Sequence, residues 1–453
     1  MKKYVIVGLG GRSAMFQGVF LETYRDSVKL LAICDSNEGR LRLAAKRLKA
    51  ANPDLASYPA EDFKKMLAEQ KPDCVIVTTM DSTHNDYICT SLEADCDVIT
   101  EKPMTIDENR CQKIIDTVKK TGKKLRVTFN YRYSPIRAQV KELLLSGVIG
   151  KILSVDFQWL LDTRHGADYF RRWHRNKANS GGLMVHKATH HFDLVNWWLS
   201  TYPESVFAKG KRVFYNAKQA ERYGLEDRAE RCHDCPVSSR CNFFLDMEEA
   251  EDLRELYLDN EKYDGYFRDK CVFNDSESDI EDVMNVIVEY KSGVLLSYSL
   301  NAFMPWEGYR VEFNGTKGRL EHMARESSYI NGDGTAQGSL KPEGSYIRIF
   351  PHFRTPYKVE LAETKGNHGG GDIIMLEDIF RESRPDPLMR KANYIEGAYS
   401  ILTGIAANKS IAAGKVIKIS ELVQGLPKPN FPEMPGENEQ IPYVEDAQKI
   451  EDF

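Results

Sequence analysis

Residues 2–7 form a short apolar run that ends on Gly8-Leu9-Gly10-Gly11-Arg12-Ser13. An apolar-periodic stretch over about 14–24 follows, and then a second apolar run, 28–34, closed by Asp35. Short continuous apolar runs read as strands buried on both faces. Strand, glycine turn, helix, strand and terminal acid in roughly thirty residues make one βαβ unit, the start of a doubly wound parallel sheet. No other feature restricts the fold as much. It is also the setting in which a glycine turn binds a dinucleotide. Gly8 permits the tight turn and Gly10 lets the backbone approach a pyrophosphate. The N–H groups at the helix start, over Gly11, Arg12 and Ser13, then hold that anion. Ser13 stands where the pattern has its third glycine and is small enough for close helix packing. Asp35 would accept hydrogen bonds from the adenosine ribose hydroxyls, which favours NAD over NADP.

The pattern continues. It predicts helices over 38–50 and 60–69, a third strand over 73–79, a helix over 84–94, a fourth strand over 97–100, a helix over 107–121 and a strand over 124–129. Together they give a dinucleotide-binding domain over 1–130. Thr78, Thr79 and His84 fall at the carboxyl end of the third strand, the edge that faces the ligand crevice in an open parallel sheet. Glu101-Lys102-Pro103 ends the fourth strand at the same edge. Proline keeps the chain extended there and cannot continue a ladder, so Lys102 projects toward the place a nicotinamide would take. The plain alternative is a solvated lysine before a turn.

After residue 130 the period changes. A helix over 135–146 and a glycine turn lead into alternation at Val155, Phe157 and Trp159, the mark of a sheet with one covered face. Two hairpins follow, 283–290 with 294–301 and 309–313 with 319–322, the second turning through Asn314-Gly315-Thr316-Lys317-Gly318. A second α/β domain over 131–425 with a mostly antiparallel sheet is expected, with helices over 372–383 and 390–413. A tail over 426–453, with prolines at 427, 429, 432, 435 and 442, should lack regular structure and wrap a neighbouring surface. Within this domain Gly181-Gly182 opens a helix that carries His186, His190 and Asp193 at i, i+4 and i+7, hence on one face. Lys187 and His191 form the next row. The alternative is a polar helix edge whose histidines bond to backbone.

An acidic insertion over about 215–280 contains Cys232-His233-Asp234-Cys235, Cys241 and Cys271. This spacing makes a closed tetrahedral zinc site a candidate, against unrelated thiols or a disulfide. The other five cysteines lie in apolar or helical segments and read as reduced packing residues. The 453 residues carry 62 Lys and Arg against 67 Asp and Glu, a formal net charge of −5 without a long basic run, so nothing favours nucleic acid. No apolar stretch reaches the ~18–20 residues that span a bilayer. The N-terminal apolar run is too short for a signal peptide, so a cytoplasmic protein is expected.

Gly8-Leu9-Gly10-Gly11-Arg12, Asp35, Glu101-Lys102-Pro103, Gly181-Gly182 and His190-x-x-Asp193 together resemble the Gfo/Idh/MocA oxidoreductases, the family of glucose–fructose oxidoreductase and inositol dehydrogenase. Tyr131-Arg132-Tyr133-Ser134-Pro135 and His368-Gly369-Gly370-Gly371-Asp372 look like its recurring segments. The likeness covers about 1–210 and 280–415 and leaves out the insertion and the tail. It implies a Rossmann domain, then an α/β domain with a large open sheet through which a homodimer or homotetramer forms. It also implies bound NAD(H) or NADP(H) and a carbohydrate or polyol substrate; with Asp35, NAD(H) is expected and NADP(H) less so. In such enzymes the lysine of Glu-Lys-Pro and the histidine of Asp-x-x-x-His flank the reacting carbinol; here these are Lys102 and His190. The aspartate of that motif is replaced by His186, with Lys187 beside it, which should tune the proton acceptor differently.

The expected function is NAD(H)-dependent oxidation or reduction at a CH–OH group of a sugar, polyol or glycoside. Lys102 and His190 would be catalytic. Gly8, Gly10, Gly11, Arg12, Ser13, Asp35, Thr78, Thr79, His84, Glu101 and Lys102 would line the cofactor. Tyr131, His186, Lys187 and His191 would meet the substrate. Two rivals are a glycosidase that oxidises C3 transiently and eliminates, and a non-catalytic NAD-binding regulator.

Overall fold

The computed structural model describes all residues except 25, 275, 328–337, 365, 382–384, 437–439, 442 and 445–453. Six parallel strands form most of the first sheet: β1 (Lys2–Val7), β2 (Val28–Asp35), β3 (Ala56–Pro59), β4 (Cys74–Val77), β5 (Asp97–Thr100) and β6 (Leu125–Val127). Their order is β3-β2-β1-β4-β5-β6. Alternate residues of β1 enter two cores, Val5 and Val7 on one face, Tyr4 and Ile6 on the other, which is why the run is apolar throughout. The order reverses between β1 and β4, where an open α/β sheet leaves its ligand crevice. Gly8 turns there with φ +87°, and a Cβ on it would lie 2.6 Å from the Thr78 carbonyl carbon, so only glycine fits. β3 was not foreseen; only Tyr58 of its four residues is buried. The helix after the glycine turn changes winding, from a 3-10 turn (Gly11–Ser13) to α (Ala14–Gly18) to π (Val19–Thr23).

The first domain is completed from the far end of the chain. Ala392–Asn393 adds an antiparallel strand to β6. Phe380, closing the helix Gly371–Phe380, packs on Tyr4, Phe20 and Tyr24.

The second sheet contains β7 (Ile152–Asp162), β8 (Pro203–Lys211), β9 (Val283–Tyr290), β10 (Leu295–Met304), β11 (Glu307–Gly315), β12 (Gly318–Glu326), β13 (Leu340–Pro351) and β14 (Tyr357–Val359). They run in the order β14-β13-β12-β11-β7-β10-β9-β8, with Ile417–Lys418 beyond β8. Among the described residues only the β7–β10 pair of this sheet is parallel. The α/β class with a Rossmann-type first half and a large, mostly antiparallel second sheet is therefore as expected.

Two helices lie together against the second sheet and its flanks, Ala188–Leu199 and Tyr394–Ala413. Every residue of the first is buried. Gly404 of the second approaches so closely that a Cβ would sit 2.1 Å from the Met184 carbonyl oxygen. The single helix expected after Gly182 is two: Leu183–His186 and Ala188–Leu199, interrupted at Lys187. A further helix, Thr163–Arg171, follows β7, its first N–H groups bonded by Asp162. The described part of the tail has no regular structure and lays Leu426, Phe431 and Met434 on the core.

Candidate active site

The glycine turn is braced from within. Ser13 Oγ donates to the Gly10 carbonyl at 2.7 Å. Asp35, buried, accepts the Leu9 N–H at 2.6 Å and the Asn37 N–H at 2.7 Å, so its carboxylate is fixed at the end of β2. Thr78 Oγ1 donates to the Gly8 carbonyl at 2.5 Å, and Thr79 Oγ1 accepts from Thr83 at 2.8 Å. His84 places its ring nitrogens 2.8 Å from the Pro103 carbonyl oxygen and 3.1 Å from that of Thr79. It ties the loops after β4 and β5 together, and burial pushes its pKa down. Arg12 pairs with Glu101 at 2.9 Å, joining the helix start to the end of β5. Thr78, His84 and Glu101 thus shape the crevice through the backbone and ion pairs of its walls.

Lys102 leaves β5 ahead of a cis Pro103, and its Nζ donates to the His186 carbonyl at 3.2 Å. That contact joins the two domains four residues before His190. Burial lowers the Lys102 pKa to about 8 against the opposing pull of Asp81 and Glu101. His190 stacks on Tyr131 with ring centres 4.2 Å apart, and its Nδ1 has no hydrogen-bond partner among the described residues. Burial, then the charges of Lys102 and Lys187, hold His190 well below the ordinary histidine pKa, so it is neutral. Lys187 Nζ lies 3.5 Å from the Tyr131 hydroxyl and 4.7 Å from the Trp159 ring centre. The structure therefore brings half-buried Lys102 together with buried His190, Tyr131, His186 and Lys187 in one cluster.

Sequence reasoning missed several members. Asp81, in the turn after β4, puts Oδ2 2.5 Å from His186 Nδ1. It brings a carboxyl group from the first domain to His186. The place could have been read, since Asp81 follows Thr79 at the same strand end. His174 stands edge-on to His186 at 4.2 Å. His165 lies 2.8 Å from Glu307 and 3.0 Å from the Tyr169 hydroxyl, and burial pushes Glu307 up to about 8. His368 bonds Asp372 at 2.8 Å, and Asp372 also accepts from Asn130 at 2.6 Å. Neither Glu307, at a strand start, nor His174 carried any spacing signal.

Six residues take other places than expected. His191 is corrected from substrate contact to core: it is fully buried, bonds the Tyr298 hydroxyl at 2.6 Å and stacks on Trp159 at 3.9 Å. Its helix is buried on all sides, so the row beside the reactive one points into protein. Asp193 does not share a surface with His186 and His190; it holds Arg132 through contacts of 2.8 and 2.5 Å. The four cysteines do not converge as a zinc site. Cys232 Sγ accepts from Arg171 at 3.2 Å and from the Leu245 N–H at 3.4 Å. Among the described residues no group of three or more His, Cys, Asp or Glu is placed to hold a metal.

Asp81→Asn is expected to lower kcat/KM and to shift the Lys102 ionisation. Asp81, itself pushed up by burial, raises the Lys102 pKa when ionised, so its loss moves that pKa below about 8. A kcat/KM–pH profile checks this; an unmoved limb would reject the coupling.

The class this geometry defines is an oxidoreductase with an NAD-binding Rossmann half. Comparison with known proteins agrees. Residues 2–129 match the description "Oxidoreductase family, NAD-binding Rossmann fold", and residues 141–419 match "Oxidoreductase family, C-terminal alpha/beta domain". The chain belongs to the Gfo/Idh/MocA oxidoreductase family. It is 39% identical over 445 residues to YteT of Bacillus subtilis (strain 168), covering 94% of this chain and 99% of that one. It is 27% identical over 207 residues to D-glucoside 3-dehydrogenase of Escherichia coli (strain K12), over 45% of this chain and 56% of that enzyme. It is 28% identical over 166 residues to alpha-N-acetylgalactosaminidase of Bacteroides fragilis, over 36% and 39% of the two chains. The fold is shared with aldose-aldose oxidoreductase from Caulobacter crescentus complexed with glycerol, with a TM-score of 0.59 and 18% identity over 92% of this chain and 99% of that one. No helix among the described residues is long and apolar enough to cross a membrane.

Proposed function

We propose that this protein is an NAD(H)-dependent dehydrogenase acting on a CH–OH group of a sugar, polyol or glycoside. The observation that carries the reading is the Lys102 amine, at the tip of β5, bonded to the segment that holds His190. The residues around the glycine turn fit a dinucleotide: Gly8 leaves no room for a side chain, and Asp35 is oriented beside the turn by two backbone N–H groups. A carboxylate there favours ribose hydroxyls over a 2′-phosphate, hence NAD over NADP. When bound, the nicotinamide accepts or returns the hydride.

The chain's own part is proton movement and orientation. With a pKa of about 8, Lys102 takes the hydroxyl proton as a free amine and holds it afterwards as ammonium. Neutral His190 donates to or accepts from the same oxygen, its ring plane set by Tyr131. His186 and Lys187 are placed to bond neighbouring hydroxyls. The names of the sugar-active relatives support a carbohydrate substrate. Exposed Leu153, Ile287 and Leu295, on the neighbouring strands β7, β9 and β10, favour a homodimer or homotetramer built on the second sheet.

One observation favours a second reading, NAD-assisted glycoside cleavage: Glu307 is held protonated near neutrality and could protonate a leaving oxygen. Absorbance at 340 nm and aryl-glycoside cleavage, measured on one panel, separate the readings. NADH formation from a free or glycosidic sugar supports the first. Phenol release without net NADH supports the second. Neither, from a protein that binds NAD, would leave a regulator.

A further inference from the structure

The insertion does not stand away from the crevice; one arm of it, Glu251–Asp264, lies across the nucleotide face of the first domain. The Tyr257 hydroxyl accepts the Gly11 N–H at 3.1 Å, one of the donors a pyrophosphate would use. Three residues on, the Asn260 carbonyl accepts from Asn37 Nδ2 at 2.9 Å. Arg40 reaches both ways, 3.3 Å to Asp35 and 2.8 Å to Asp264. The seat is close-fitting: a Cβ on Gly39 would lie 1.8 Å from Asn260 Oδ1 and 2.8 Å from the Tyr263 ring. Arg47–Glu255, at 2.8 Å, adds an exposed pair worth little by itself.

We infer that the arm Glu251–Asp264 completes the dinucleotide site, with Tyr257 closing over the pyrophosphate and Asp264 restricting the ribose end to NAD(H). This rests on the NAD(H) reading above. A tyrosine hydroxyl both accepts and donates, so the group that takes the Gly11 N–H can turn its own O–H to a phosphate oxygen. Arg40 is the cation beside the ribose acid, and an unpaired arginine there would welcome a 2′-phosphate. Asp264 occupies it and leaves a second carboxylate at that edge, which repels the phosphate of NADP(H). The arm is thus a retaining wall and part of the selectivity filter, built from a segment outside the shared Rossmann core.

The test is nucleotide binding by the full-length protein, read by NADH and NADPH fluorescence in titration and stopped-flow release. Tyr257→Phe keeps the ring and removes the hydroxyl; NADH release should quicken about fivefold, the worth of one neutral hydrogen bond. Asp264→Ala leaves Arg40 with Asp35 alone and removes the second carboxylate at that edge; the preference for NADH over NADPH should narrow about tenfold, as expected for a charge-assisted contact. Far-UV circular dichroism verifies that both variants fold. Wild-type release rates and preference in both folded variants would overturn the role of the arm while leaving the cofactor reading intact. A wild-type protein that binds neither nucleotide would overturn the cofactor reading itself.

Discussion

Lys102→Ala is expected to lower kcat for hydride transfer about 10²–10⁴-fold, the range for removing a positioned general base. NADH affinity should change far less, because the glycine turn and Asp35 are untouched. The pH dependence gives a sharper form of the same claim. The Lys102 pKa is depressed to about 8, so in the oxidation direction kcat/KM should rise as pH rises through that value, where the amine becomes a free base. In the reduction direction the ammonium is the donor, and the limb should fall over the same window. Stopped-flow absorbance at 340 nm measures both. Undiminished transfer in Lys102→Ala, or a profile flat from pH 6 to 10, would remove Lys102 from the mechanism.

Arg132→Ala is expected to cost about 3–5 kcal/mol of stability, the cost of stranding one member of a buried ion pair. Arg132 and Asp193 are both essentially without solvent contact, and two hydrogen bonds join them. Even with its partner, Asp193 is pushed up to about 6 by burial. The folded state therefore binds that proton more tightly than the unfolded chain does. Stability from this group falls as pH rises from about 4 to 6 and then levels. Without Arg132 the folded pKa climbs further, so the defect should be larger at pH 8 than at pH 5. Urea unfolding at the two pH values checks both statements, and the double variant with Asp193→Ala should recover part of the loss. A defect under about 1 kcal/mol at pH 8 would mean that the pair contributes little.

The first domain was legible because its signals are local: apolar runs, a glycine turn and an acid at fixed distances. Lys102 and His190 were legible for the same reason, each lying in a short motif at a predicted element end. What escaped depends on distant parts of the chain. The strand Ala392–Asn393 has only two residues and exists because β6 offers an edge. Glu307 begins β11 and meets His165 across 142 residues. Helical periodicity put His186, His190 and Asp193 on one face; the interruption at Lys187 and the all-round burial of the next helix gave them different neighbours. Cysteine spacing made a metal site a candidate; in the structure Cys232 accepts a hydrogen bond from Arg171, and among the described residues no group of three ligands is placed to hold a metal.

The contact between Asp81 and His186 has a mechanical side. The acid belongs to one half of the molecule and the imidazole to the other, separated by 105 positions in the chain. Any rocking of the halves would part them and break that buried hydrogen bond. The molecule thus ties the joining of its halves to the hydrogen bonding of the cleft: this pair exists only while the two domains meet.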